Sequence, residues 1–435
     1  DPAARGQIVR CAKDADVTKD AMQAKLTELG YTGKPLTSGA RVYRVAFRTE
    51  RGDAASTPAV SSAAVYVPET PRAAKLPVVV ASRGSRGQAA RCAASKLEPG
   101  LGVNDDLYRQ VYALAGAGYA VIVPDLAGYA NFGAPGNPPS AYAQAADVAK
   151  STLDGARALK NLFPVLDDKV VIVGHSQGGH TALSALALAE TYGTVAPIVG
   201  VAVYAPLWLS QRSWGAVLYR PVGKDFPLKE VPGTPPTPAS AAGPVSVWYH
   251  YTQAELLDGP GEGKKLFAAD KQDAVKEFVE TECWASEYPK LQALGTYVDE
   301  LFDPAFVQQV GFASIGSGSC DPGSACEKWL ARYSADRPRL TGKAAQTPIL
   351  VAYGAKDTTI PPSRMKCALD RLAQDGAQVT VCLEPEQTHG GILDARGSYV
   401  ADWIGSVALG EAAPGACPAD ATAITEACAT PPPND

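Results

Sequence analysis

The segment Gly174-His175-Ser176-Gln177-Gly178 has the spacing Gly-x-Ser-x-Gly, which can make a serine nucleophilic when its flanks are right. Val170–Val173 are four β-branched residues and read as a strand buried on both faces. Thr181–Tyr192 carries Ala and Leu at helical spacing. A strand that enters a tight turn and leaves as a helix strains the serine backbone and lifts its Oγ above the sheet. Gly174 and Gly178 leave room for strand and helix to approach. The helix N-terminus aims unpaired N–H groups, that of Gln177 among them, at the place where an oxyanion would form. The chemistry implied is acyl transfer through a covalent serine intermediate.

A serine hydroxyl is a poor nucleophile at neutral pH, so a general base and an acid that orients it are required. The chain has four histidines. His175 and His180 flank the elbow and cannot fold back onto Ser176 while the following turn is helical. His250 falls in a stretch that breaks the alternation of strands and helices. His389, in Glu386-Gln387-Thr388-His389-Gly390-Gly391, lies beyond the last core strand and is the candidate base. Asp357 lies four residues past the strand Ile349–Tyr353 and is the candidate acid; Pro361 and Pro362 stiffen the chain just beyond it. Asp336, Glu384 and Glu386 do not directly follow a core strand in the order required. The second oxyanion donor is expected from Ser82-Arg83-Gly84-Ser85-Arg86-Gly87, at Ser85, Arg86 or Gly87. The guanidinium groups of Arg83 and Arg86 could hold a substrate carboxylate, or pair with acidic side chains at the surface.

These residues need a scaffold that brings them to one end of a sheet. Strands are expected at Arg41–Arg48 (on the sheet edge), Ala63–Val67, Val78–Ser82, Tyr119–Pro124, Val170–Val173, Ile198–Tyr204, Ile349–Tyr353 and Gln378–Leu383. Helices are expected at Cys11–Leu29, Asp105–Ala117, Ser140–Leu162, Thr181–Tyr192, Pro362–Gln374 and Asp394–Leu409. The alternation implies an α/β fold with a mainly parallel sheet covered by helices on both faces. Residues 205–345 break it, with a Pro-rich loop at Val231–Pro244 and helical stretches near Ala269–Glu280 and Leu291–Leu301. This part reads as a mostly helical cap between two parts of the core, 1–204 and 346–412, with an irregular tail at 413–435. Trp208, Trp214, Trp248, Trp284 and Trp329 lie in the cap; most would build its own core, and one or two would line an apolar substrate channel. Arg83, Tyr129, Trp208 and Trp214 are the candidate substrate-binding residues.

A net charge of −5 over 435 residues argues against nucleic acid as a partner. No apolar run reaches the length of a membrane span. Nine cysteines without metal-type spacing suggest disulfides and an oxidising compartment. The pairings considered are Cys417 with Cys428, Cys367 with Cys382, Cys320 with Cys326 or either of them with Cys283, and Cys11 with Cys92. The odd count leaves one thiol over.

The elbow Gly-His-Ser-Gln-Gly-Gly-His, the Gly-rich loop followed by Arg91-Cys92-Ala93-Ala94-Ser95, Pro-Asp-Leu-Ala-Gly-Tyr at 124–129, the long insertion and Gly354…Asp357…Pro361 together resemble the secretory lipase family, the lipase A-like branch of the α/β-hydrolases. The resemblance runs from about Val42 to Trp403. It implies an extracellular serine carboxylic ester hydrolase with a helical cap and no cofactor or metal. Ser176, Asp357 and His389 match its triad positions. The implied partner is a small-molecule ester or lipid, with contact to a lipid–water interface, acted on by a monomer. An acyltransferase or a serine peptidase would share the triad; a non-catalytic binding protein on this fold would normally have lost one of its members. Arg83-Gly84 stands where bacterial members often carry His-Gly; a backbone donor tolerates that change, so it bears on the substrate.

Overall fold

Along Val170–His175 the side chains alternate between two hydrophobic cores. Val170 and Ile172 enter one, Val171 and Val173 the other. A strand buried on both faces has no polar side to spend, which is why this segment is apolar throughout. The computed structural model describes residues 4–97, 100–129, 138–208, 210–222, 242–285 and 288–417.

The described strands are β1 Ile8–Lys13, β2 Ala40–Glu50, β3 Pro58–Pro68, β4 Val78–Ser82, β5 Val121–Pro124, β6 Val170–His175, β7 Ile198–Tyr204, β8 Ile349–Gly354 and β9 Val379–Glu384. They form one sheet in the order β1-β2-β3-β5-β4-β6-β7-β8-β9. The pairs from β5 through β9 are parallel; β1, β2 and β3 join antiparallel at one side. β6, the elbow strand, lies inside the parallel region between β4 and β7. Its ends therefore point the same way as those of β4 and β8, whose following loops carry the other candidate residues. Helices Asn104–Gly116 and Gly391–Ile404 contribute to one core, and Ala145–Leu162 and Gln177–Tyr192 to the other. This is the α/β architecture expected.

Four expectations change. The N-terminal stretch is not one helix: Ile8–Lys13 is an antiparallel strand and the helix starts at Lys19, capped by Thr18. Apart from Ile8 the residues of β1 are exposed, so backbone pairing rather than apolar burial holds it. β1 is consequently the edge, and β2 is internal. Leu291–Leu301 is broken into two single turns, Pro289–Gln292 and Val298–Leu301. The Pro-rich loop, from 231 to 241, and Cys428 lie outside the described residues; Ala242–Leu257 is helical.

Between β7 and β8 the chain forms helices Gln211–Leu218, Ala242–Leu257, Gln272–Thr281 and Ala325–Ala335. They share a core of their own, in which Trp214, Trp248 and Trp329 are buried. Trp214 stacks on Tyr249 at a ring distance of 3.6 Å. Cys92 pairs with Cys283, Cys320 with Cys326 and Cys382 with Cys417. The pairings Cys11–Cys92, Cys367–Cys382 and Cys417–Cys428 are thus overturned. Cys11 sits on exposed β1 as a free thiol, and Cys367 is also disulfide-bonded. Cys92–Cys283 joins the turn after the Gly-rich loop to the helical segment, and Cys382–Cys417 fixes the chain beyond the last helix to β9.

Candidate active site

Ser176 ends β6 and precedes helix Gln177–Tyr192 with φ +55° and ψ −120°. A non-glycine residue there stores on the order of 1–3 kcal/mol of strain. The fold holds it by hydrogen bonds on both sides: Ser176 N–H donates to Tyr204 O (2.9 Å), and Ser176 O accepts from Leu207 N–H (2.8 Å). A Cβ at Gly174 would strike the Gly178 carbonyl, and one at Gly178 would strike the Ser82 carbonyl. Those two glycines are what the close crossing of strand, helix and Gly-rich loop requires. Gln177 is the first residue of its helix, so its N–H has no acceptor within that helix.

The loops after β8 and β9 meet because Gly354 lets the Gln387 carbonyl approach where a Cβ would stand. Ala355 N–H donates to Glu384 O (2.9 Å) and Lys356 N–H to Gln387 O (3.0 Å). This lacing brings His389 Nδ1 to 2.7 Å from Asp357 Oδ2. The other oxygen, Oδ1, accepts from the N–H groups of Thr359 and Ile360, both at 2.8 Å. Asp357 is buried and both carboxylate oxygens are engaged. With Nδ1 facing a carboxylate, Nε2 is the imidazole atom left to take a proton.

His175 links this pair to the elbow. Its ring lies 4.8 Å from the His389 ring, and its Nε2 is 3.0 Å from His389 O. A carbonyl can only accept, so Nε2 carries the hydrogen. Burial, and then the neighbouring His389, push the His175 imidazole down to about 4, which keeps it neutral at physiological pH. Among the described residues its Nδ1 has no hydrogen-bond partner, and it faces Gly84, where a Cβ would lie 3.2 Å away. The same Cβ would lie 3.6 Å from Ser176 Cβ, so the Gly-rich loop passes directly beside the serine.

A cavity opens at Ser176. Ser85, Tyr142, Leu207, Trp208, Trp284 and Ile360 are among its lining residues. Ser85 is the one residue of the trio 85–87 in that lining. Arg86 O accepts from Trp284 N–H (2.9 Å), and Gly87 bridges to Cys283 with φ +88°. Arg86 and Gly87 are therefore turned to the helical segment, not to the cavity.

Of the four candidate substrate-binding residues, Trp208 lines the cavity and the others do not. Arg83 is buried: Nη1 donates to Gln177 Oε1 (2.8 Å) and Gly84 O (3.0 Å), Nη2 to Asp125 O (3.2 Å). Arg86 donates to Cys92 O (2.8 Å), Val103 O (3.1 Å) and Asn104 Oδ1 (2.6 Å). Neither guanidinium reaches the surface or the cavity, so both parts of the expectation for this pair fail. Tyr129 is buried under Arg83, whose guanidinium lies 4.7 Å from the ring, and it donates to Gly87 O. Trp214 belongs to the core of the helical segment. Sequence reasoning missed Tyr142 and Arg364, which carried no signal; Trp208 and Trp284 are two of the five tryptophans of which one or two are expected at the channel. His180 is buried 2.7 Å from Asp336 O, and His250 lies between Ser246 O (2.7 Å) and the Tyr333 hydroxyl (2.6 Å). Burial pushes them down to about 4 and about 3. Among the described residues, no group of three or more His, Cys, Asp or Glu side chains could hold a metal ion.

Strand, strained serine and helix, with an acid after β8 and a histidine after β9, follow one chain order. Residues 97–402 match the Alpha/beta hydrolase family. The chain belongs to that family. Comparison of the sequence with curated proteins finds no match. Among solved structures, this α/β-hydrolase is similar to Candida antarctica lipase A in its closed state. Identity is 17%, coverage 97% of this chain and 87% of that one, and the TM-score 0.65. It is also similar to the rice cell wall degrading esterase LipA from Xanthomonas oryzae. Here identity is 18%, coverage 92% and 95%, and the TM-score 0.62. At these identities the likeness is one of fold, that of the α/β-hydrolases. Among the described residues no helix is long and apolar enough to cross a membrane.

Proposed function

We propose that this α/β-hydrolase is a secreted serine carboxylic ester hydrolase working through Ser176, His389 and Asp357. The observation that carries the reading is the 2.7 Å contact between His389 and Asp357, with the His389 ring held over His175, the residue before Ser176. Ser176 Oγ attacks the ester carbonyl and His389 Nε2 takes its proton. Asp357 stabilises the imidazolium that forms. The N–H groups of Gln177 and Ser85 receive the oxyanion. His389 then returns the proton to the leaving alcohol, and water repeats the sequence on the acyl-enzyme.

The mainly apolar cavity suits a small ester or lipid acyl chain. The helical segment between β7 and β8 acts as a cap, supplying Val217, Val245 and Trp284 to the cavity wall. Disulfides Cys92–Cys283, Cys320–Cys326 and Cys382–Cys417 suit an extracellular enzyme. In this reading the enzyme acts as a monomer and meets lipid substrates at a lipid–water interface. The test is hydrolysis of a series of aryl esters of increasing acyl length by the full chain and by Ser176→Ala. Hydrolysis by the first and loss of at least about a thousandfold in the second are expected. Equal rates would place the nucleophile elsewhere.

A further inference from the structure

Buried arginines in this protein are matched to fixed acceptors. Arg51 meets Asp147, Arg83 meets Gln177 and the Asp125 carbonyl, Arg86 meets Asn104 and two carbonyls, and Arg337 meets Asp375. Arg364 is half-buried and is not matched in this way. It lies in the first turn of helix Pro362–Gln374, seven residues beyond Asp357, and its side chain joins the wall of the cavity that contains Ser176. It is the one charged side chain among the described lining residues. Among the described residues no hydrogen bond or ion pair engages its guanidinium and no carboxylate acts on it. The charge that does act on it, Arg220, has the same sign.

A half-buried cation in the wall of a mainly apolar cavity is partly desolvated, and among the described residues no counter-charge offsets that cost. Burial pushes this guanidinium down to about 10, so it remains charged at neutral pH. Its planar fork matches a carboxylate in two parallel hydrogen bonds, and a single fork suits a single negative charge. The carboxylate recognition considered for Arg83 and Arg86 fails because protein groups occupy both. The same chemistry is open at Arg364.

We propose that Arg364 anchors a carboxylate carried by the ester substrate, so that the enzyme selects esters with one anionic half. This deepens the serine-hydrolase reading and rests on it. An anion held in the same cavity as Ser176 would fix the position of the scissile carbonyl in front of the hydroxyl. A neutral ester of the same length would bind by its apolar part alone.

The experiment compares three nitrophenyl esters of matched size on the full chain. One is a neutral monocarboxylic ester, one a half-ester of a dicarboxylic acid, and one a neutral acyl ester of a carboxylated nitrophenol. The second and third separate an anionic acyl half from an anionic leaving group. Each is run with wild type, Arg364→Met and Arg364→Lys. The expected result is a ratio of kcat/KM, charged to neutral, that falls about tenfold or more in Arg364→Met in one of the two charged arms, the effect of one charge-assisted hydrogen bond. Arg364→Lys should keep part of that ratio. An unchanged ratio in both arms overturns the inference while leaving the serine-hydrolase reading intact, provided Ser176→Ala is inactive on the neutral ester. Failure of wild type to hydrolyse any of the three overturns the reading and the inference together. Should Arg364→Met not fold, wild-type inhibition decides: a free monocarboxylate should inhibit neutral-ester hydrolysis about tenfold more strongly than the uncharged primary amide of equal length. Equal inhibition overturns the inference.

Discussion

Replacing Asp357 by Asn should disable the histidine without disturbing the fold. Asp357 Oδ1 accepts two backbone N–H groups at 2.8 Å, and Oδ2 faces His389 Nδ1 at 2.7 Å. An Asn side chain must keep its carbonyl oxygen on the two N–H donors, which turns its NH2 toward His389. Nδ1 then becomes an acceptor, the hydrogen moves to Nε2, and the base can no longer take the Ser176 proton. The reverse amide placement would give up two hydrogen bonds, about 2 kcal/mol, leaving only about 3% of molecules in a competent arrangement. That fraction also lacks the carboxylate charge that stabilises imidazolium. The expected loss in kcat lies between about 10² and about 10⁴-fold, the upper figure being that of a wrong tautomer alone. The assay is steady-state aryl-ester hydrolysis, with thermal melting to show that Asp357→Asn is folded. A folded variant that keeps more than about a tenth of wild-type kcat would refute this assignment of acid and tautomer.

Other outcomes are expected from the same structure. Arg83→Met removes the group that ties Gln177 Oε1 to Gly84 O, so both proposed oxyanion donors should loosen; kcat should fall about tenfold or more, with KM little changed. A rise in KM alone would sink the positioning role. Asp336 is raised by burial from 3.8 to about 7. Its carboxyl ionises in the unfolded chain first, so this residue costs stability progressively as pH rises from about 4 to about 7, by up to about 4 kcal/mol. Asp336→Asn should therefore gain melting temperature relative to wild type at pH 8 but not at pH 4, and parallel melting curves across that range would contradict it. Cys92→Ser with Cys283→Ser cuts the covalent link between the loop after β4 and the helical segment between β7 and β8, and should cost about 2–4 kcal/mol in denaturant unfolding.

What could be read from the sequence was what local pattern dictates. The elbow declares itself because its strand, glycines and helix are contiguous, and the parallel strands because burial on both faces makes them continuously apolar. Asp357 and His389 could be picked out because chain order restricts where an acid and a base can follow such a serine. β1 could not be read, since its largely exposed residues carry no burial pattern and its partner is chosen by backbone pairing. The fate of Arg83 and Arg86 was hidden for a related reason. Their acceptors are carbonyls and amide side chains distributed through the fold, including Asp125 O, Val103 O and Gln177 Oε1, and carbonyl acceptors leave no residue-type signature. Disulfide partners were obscured in the same way, because Cys92 and Cys283 are 191 residues apart. Arg364 was invisible as a cavity residue because its place depends on how the Asp357 loop hands over to the next helix.

The central claim is that His389 and Asp357 make the hydroxyl of Ser176 reactive. Its most direct measurement is covalent labelling of the full chain by a serine-reactive aryl phosphonate, read by peptide mass spectrometry. One equivalent on the peptide containing Ser176, activity lost in step, and labelling abolished by Ser176→Ala and strongly slowed by His389→Ala is the outcome expected. Labelling at another residue, or at Ser176 with equal speed when residue 389 is alanine, would contradict it.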